Sequence, residues 1–180
     1  MEEQRRASGC VRSMIKQVTI DQHHVQFTFS GSEQESAQLR KQIMTQCVST
    51  AIHSVTFYNN TSQFTNEKIA HRLGLCVLQH QEGAIGTLKI GEPKKVTTDD
   101  IQGLTFYSNT LLFELNQHET IHCQMVVKSG TGKEHQKWNA VAAMRFKESD
   151  DGIVFDFNLT GRLTWEEIIL QIDSFSKNNT

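Results

Sequence analysis

Proline is nearly missing from this chain of 180 residues, Pro93 standing alone. No stretch is rich enough in proline, glycine or serine to act as a long linker. Cysteine is sparse too. Cys10, Cys47, Cys76 and Cys123 include no pair at the C-x-x-C spacing of a thiolate metal site. A chain of this size does not depend on disulfide staples, so the four read as reduced thiols of an intracellular protein. The opening MEEQRRASGC has no apolar core for a secretory signal, and no apolar run reaches the roughly 20 residues a membrane span needs. Without a signal, the N-x-[ST] patterns at Asn59, Asn60 and Asn158 are chance matches. Charge of one sign is also lacking: the net charge is −2, too little to draw the chain to DNA or an anionic membrane. Little or no direct nucleic-acid contact is expected.

What remains is the composition of a globular protein, 37% hydrophobic and 21% charged, long enough for one ordinary domain or two small ones. Val18 and Ile20, then Val25, Phe27 and Phe29, alternate as two strands meeting near Gln22-His23-His24. After Gly31, Ser32 and Glu35 have the spacing of a capping box. Leu39, Ile43 and Cys47 follow at helical spacing with Met44 and Val48 beside them. Residues 52–57 read as a strand, and a short helix over 66–73 is expected to stop at Gly74, which tolerates positive φ. Ile85–Ile90 and Leu111–Leu115 are β-like. Ile121, Cys123, Met125 and Val127 alternate as a half-buried strand, and residues 140–146 and 153–159 flank the turn Ser149-Asp150-Asp151-Gly152. Thr164 and Glu167 form a second capping box before Trp165, Ile168, Ile169 and Ile172. The order of elements is α+β, with no internal repeat.

The sharpest catalytic pattern is His118-Glu119-Thr120-Ile121-His122. H-E-x-x-H serves zinc hydrolases when a helix puts both imidazoles on one face beside a glutamate base. Here the second half falls in a period-2 segment, which separates the two histidines. Gly130-Thr131-Gly132-Lys133 is no Walker loop, because Glu134 stands where Ser or Thr is required and Val127 where the first glycine is. The eight histidines are scattered, and no Ser-His-Asp or Cys-His constellation assembles.

Three segments resemble the alpha-like RNA polymerase subunits: the bacterial alpha N-terminal domain, the archaeal D subunit and the third-largest subunit of eukaryotic RNA polymerase II. Leu39-Arg40-Lys41-Gln42-Ile43-Met44-Thr45-Gln46-Cys47-Val48-Ser49-Thr50-Ala51-Ile52 is similar to that family's L-R-R-x-(apolar)₂-x-E-x-P-T-x-A-I, with Val48 where proline is usual. Asn66-Glu67-Lys68-Ile69-Ala70-His71-Arg72-Leu73-Gly74-Leu75-Cys76-Val77-Leu78 is similar to D-E-x-I-A-H-R-L-G-L-I-P-L. Lys128-Ser129-Gly130-Thr131-Gly132-Lys133-Glu134-His135-Gln136-Lys137-Trp138 is similar to K-K-G-I-G-K-E-H-A-K-W. A weaker match is Phe155-Asp156-Phe157 with Gly161 and the closing helix. The matches keep the family's order and run from about 18 to 175. Many relatives carry a cysteine cluster for zinc or iron–sulfur between the second and third segments. Residues 79–124 hold only Cys123, so no such site and no cofactor is expected. The small size and loose fit point to a divergent lineage, of the kind a large DNA virus carries.

The resemblance implies a two-part α+β fold: a discontinuous dimerisation domain over residues 1–56 and 144–180, and an inserted β-rich domain over 57–143. It implies a non-catalytic assembly subunit that pairs with a smaller alpha-like subunit and docks the second-largest catalytic subunit, with small zinc-binding polymerase subunits as further neighbours. The site of action is intracellular: the nucleus or another site of transcription, or a viral factory or virion for a viral protein. The implied pairing residues are Leu39, Arg40, Ile43, Met44, Cys47, Ile168 and Ile172. The implied docking residues are Glu67, His71, Arg72, Lys133, Glu134, His135, Lys137 and Trp138, the tryptophan being presented outward on the turn Gly130-Thr131-Gly132 as an interface anchor. The enzymatic alternative is a zinc-dependent hydrolase using His118, Glu119 and His122, and a third class is a free-standing homodimeric interaction module.

Overall fold

Reciprocal caps fix where two of the helices begin. Ser32 Oγ accepts from the Glu35 backbone N–H at 3.3 Å while Glu35 Oε2 accepts from the Ser32 N–H at 2.7 Å. Thr164 and Glu167 repeat the arrangement at 3.2 and 2.7 Å, so each helix start has its orphan N–H groups satisfied by side chains. The computed structural model describes residues 11–177; Cys10, Asn178, Asn179 and Thr180 lie outside them. In chain order the elements are α1 (Val11–Met14), β1 (Ile15–Asp21), β2 (His24–Phe29), α2 (Glu33–Thr45), β3 (Val48–Asn60), α3 (Asn66–Leu75), β4 (Ile85–Ile90), β5 (Lys94–Thr97), β6 (Leu111–Leu115), β7 (Ile121–Thr131), β8 (Val141–Ser149), β9 (Gly152–Leu159) and α4 (Trp165–Lys177). The fold is α+β, and its sheets are antiparallel.

The chain divides into two compact units, one formed by Met1–Cys47 with Asn139–Thr180 and one by Val48–Trp138. The cuts lie at 47/48 and 138/139, short of the expected 56/57 and 143/144. The physical reason is β3, which pairs with β7 along its whole length from Val48 opposite Thr131 to Asn60 opposite Ile121. No part of that strand is left for the other unit.

In the discontinuous unit the sheet order is β1-β2-β9-β8. Period-2 alternation sends Val25, Phe27 and Phe29 of β2 and Phe155 and Phe157 of β9 to one face. There Leu39 and Ile43 of α2 and Trp165, Ile168, Ile169 and Ile172 of α4 cover them. Phe27 and Phe155 stack with ring centroids 5.0 Å apart, and the Trp165 indole lies 5.1 Å from Phe27. The β8–β9 turn needs glycine: Gly152 has φ +134°, and a Cβ there would lie 2.3 Å from the Phe29 carbonyl oxygen.

In the inserted unit β7 lies between β3 and β4. Ile121, Cys123, Met125 and Val127 are buried on one face with Ile52 and Leu88 beside them, and Ile69 and Leu73 of α3 and Phe113 and Leu115 of β6 join the same core. Helix α3 does not stop at Gly74. It continues to Leu75 and is capped at Cys76. Gly74 is buried, and a Cβ there would meet the Ile52 carbonyl oxygen at an ordinary contact distance of 3.7 Å; it is not among the positive-φ glycines, so it is no left-handed stop.

Candidate interaction surfaces

Trp138 is where expectation and structure part most clearly. The ring is 6% exposed and lies across Gly130, where a Cβ would come within 2.5 Å of it. Its Nε1–H donates to the Lys128 carbonyl at 3.2 Å, which satisfies the one polar group a buried indole carries. The expectation of an outward-facing anchor is corrected: Trp138 is a packed residue of the inserted unit. The His53 imidazole stacks on it at 5.7 Å with a 17° interplanar angle, and Lys137 Nζ lies 4.6 Å from a ring centroid while donating to the His53 carbonyl at 3.2 Å.

Around this floor stand exposed Lys133, Glu134 and His135. Glu134 Oε2 accepts from the Thr131 backbone N–H at 2.7 Å and from the Thr131 hydroxyl at 3.0 Å, and these bonds hold its carboxyl below the usual glutamate range. His135 Nδ1 accepts from the Lys137 N–H at 3.0 Å. The structure thus brings Lys133, Glu134, His135, Lys137 and Trp138 together and adds two members the sequence analysis left out of the site, His53 and Lys128. Lys128 was already visible as the first residue of the third motif. His53 had no periodic signal, because it is the extra residue at a bulge between Ile52 and Ser54.

The α3 residues are arranged differently. Glu67 and His71 are exposed, and hydrogen bonds from its own backbone N–H and from Thr65 keep the Glu67 carboxyl low. Arg72 turns towards β6, where Nη1 donates to the Leu112 carbonyl at 2.5 Å and the guanidinium covers Phe64 at 5.0 Å. The helix approaches the Trp138 cluster only at its C-terminal turn, with the Gly74 Cβ position 3.9 Å from Lys137 Cδ.

Of the expected pairing residues, Leu39, Ile43, Cys47, Ile168 and Ile172 are buried in the core of their own unit. The expectation that Ile43 excludes water at a subunit seam is therefore corrected, since β2 and β9 already cover it. Arg40 is exposed and Met44 half-buried. Arg40 lies 4.8 Å over the ring of Phe146, which is 56% exposed, and Leu170 on the outer side of α4 is 63% exposed. Burial pushes the Cys47 thiol up to about 12 and the Cys123 thiol up to about 11, so both stay protonated and unreactive at neutral pH.

The H-E-x-x-H segment is not helical. His118 has φ +67° in a turn, and Glu119 spends its carboxylate on the turn, accepting from the Asn116 N–H at 2.7 Å and the Gln63 N–H at 3.1 Å. His122 sits in β7 with its ring 4.9 Å from Tyr58. No group of three or more His, Cys, Asp or Glu side chains among the described residues is placed to hold a metal, and the zinc-hydrolase alternative has no support. No helix among them is long and apolar enough to cross a membrane.

No family model matches the chain. Over 151 residues it is 27% identical to the DNA-directed RNA polymerase subunit Rpo3 of Methanocaldococcus jannaschii, covering 79% of either chain. This chain is a distant homologue of Rpo3. It is also 27% identical over 133 residues to the Rpo3 of Methanobrevibacter smithii and 26% identical over 134 residues to that of Methanopyrus kandleri, in each case over 61% of its own length. It spans 48% and 49% of those two Rpo3 chains, about half of each.

Proposed function

We propose that this chain is an assembly subunit of a DNA-directed RNA polymerase, acting inside the cell at the site of transcription. The observation that carries the reading is the relationship to Rpo3 over 79% of both chains. The α+β fold and the absence of a helical H-E-x-x-H site agree with it. In this reading the large subunits supply the chemistry. The discontinuous unit pairs with a smaller alpha-like subunit through what core packing leaves exposed on its helices and edge strand, namely Arg40, Met44, Phe146 and Leu170. The inserted unit docks the second-largest subunit through the Trp138 cluster and the exposed α3 residues Glu67 and His71, with small zinc-binding polymerase subunits as further neighbours.

A tagged purification from the source, with mass-spectrometric identification of co-purifying chains, tests this. A smaller alpha-like subunit and the second-largest subunit are the expected companions. Recovery of a lone, well-behaved monomer overturns the reading, and recovery of a stable homodimer without polymerase chains moves the protein to the class of free-standing interaction modules.

A further inference from the structure

Strand β3 leaves part of its main chain unpaired on the side away from β7, because it ends the sheet β3-β7-β4. The register settles which residues are involved, since the N–H and C=O of one strand residue point to the same side. Thr87 of β4 exchanges both its bonds with Gln102, each at 2.9 Å, so it turns away from Gln124, its opposite in β7. Gln124 therefore bonds across to Thr56. At the odd positions of β7 the sense reverses: Val127 donates to the Ala84 carbonyl at 3.0 Å and accepts from Gly83 at 3.1 Å. Met125 and Cys123 follow Val127, and their opposites in β3, Val55 and Phe57, present N–H and C=O outward. No described residue makes a hydrogen bond to those groups. The strand is closed on either side of them. Lys137 Nζ caps the His53 carbonyl, the Ile52 carbonyl lies against Gly74, and Asn60 is turned onto Phe64 and Asn66. Between the bulges after Ile52 and Phe57 runs a regular stretch of four residues, 54–57.

Edge strands are ordinarily guarded against pairing by charge, proline or cover. Lys16 stands on β1, Lys89 on β4, Lys94 on β5, Glu114 on β6 and Lys147 on β8. Strand β3, 13 residues long, has no Lys, Arg, Asp, Glu or Pro, and its open stretch is rich in β-branched and aromatic residues. Resting on the docking role proposed above, we infer that the 54–57 edge of β3 receives a short extended segment of the second-largest subunit, which joins the sheet as a fourth strand. The stretch adjoins the Trp138 cluster through His53, so the two make one continuous face. Four residues span about 13 Å. On one face the segment lies beside half-buried Val55 and Phe57 and is apolar; on the other it lies beside exposed Ser54 and Thr56 and is polar and uncharged. A nucleic acid has no repeating amide pattern to match, and the strand has no cation for its phosphates. A second copy of this chain would bring the same two bulges and pair over only four residues, far short of a stable dimer interface.

Amide hydrogen exchange at single-residue resolution compares the full chain alone with the complex retrieved through a tag on it. Val55 and Phe57 should exchange freely in the first and roughly tenfold or more slowly in the second, while Ser54 and Thr56, held by β7, stay slow in both. Val55→Pro removes an outward N–H without touching the β7 ladder, and should retain the second-largest subunit roughly tenfold less well. Val55→Ala, which trims the side chain but keeps the N–H, should retain it. If circular dichroism shows Val55→Pro unfolded, the exchange comparison decides. Unchanged exchange with the second-largest subunit present overturns the inference and leaves the docking role standing, as does its full retention by a folded Val55→Pro. If the second-largest subunit never co-purifies, both fall. Protection already present in the chain alone, sedimenting as a dimer, gives the edge to a second copy and overturns the inference.

Discussion

At the scale of single residues, Trp138 decides how the third motif is read. A tryptophan amid Lys133, Glu134, His135 and Lys137 looks like a displayed anchor. The contrary signal was Gly130, which sits at a buried strand position because only hydrogen leaves space for the indole. Trp138→Ala should therefore destabilise the protein by about 3–5 kcal/mol in urea unfolding, and Trp138→Phe, which keeps most of the ring but loses the bond to Lys128, by about 1 kcal/mol. An alanine variant with wild-type stability would return Trp138 to the surface. Glu134 makes a second, pH-dependent prediction. Its folded pKa lies below its ordinary value, so its contribution is fully present above the ordinary carboxylate range and lost as pH falls through the lower folded value. Thermal melts taken from about pH 6 down to pH 3 should fall less steeply for Glu134→Gln than for the wild type.

At the scale of elements, local chemistry was legible wherever it was reciprocal. Both capping boxes, the alternation of Ile121, Cys123, Met125 and Val127, and the apolar stripe of α4 could be read from the residues, since each pattern is set by a fixed spacing. Strand β3 was read at half its length because bulges after Ile52 and Phe57 break the period of two. The stripe Leu39, Ile43 and Cys47 was legible as an apolar face, but spacing does not say whether a sheet or a partner subunit covers it. The structure gives it the sheet. Ile43→Asp should accordingly unfold the discontinuous unit, costing several kcal/mol for an unpaired buried charge, instead of separating a folded pair of subunits. Leu170→Asp, on the outer side of α4, should leave circular dichroism unchanged and weaken pairing with the smaller alpha-like subunit. Normal pairing by folded Leu170→Asp would remove that side of α4 from the interface.

At the scale of the whole molecule, a two-part organisation was only an implication of the family resemblance, and nothing in the spacing of residues marks the cuts at 47/48 and 138/139, because pairing partners of β3 lie some 70 residues away in β7. Each unit has its own apolar core, so the segment 48–138 expressed alone should fold, with the fluorescence of a buried tryptophan and a single cooperative unfolding transition; a molten, dye-binding fragment would argue against it. One contact bears on how such a chain comes to fold at all. Ser49 Oγ donates to the Trp138 carbonyl at 2.8 Å and Val48 faces Thr131, so the two ends of the insertion are clasped side by side. Once the insertion is formed, the remaining chain closes across a gap of a few residues instead of some 90, a difference worth about 3 kcal/mol of loop entropy. The insertion is then a splint: formed first, it makes two distant stretches of sequence behave as neighbours, and a short flexible bridge from Cys47 to Asn139 should serve in its place.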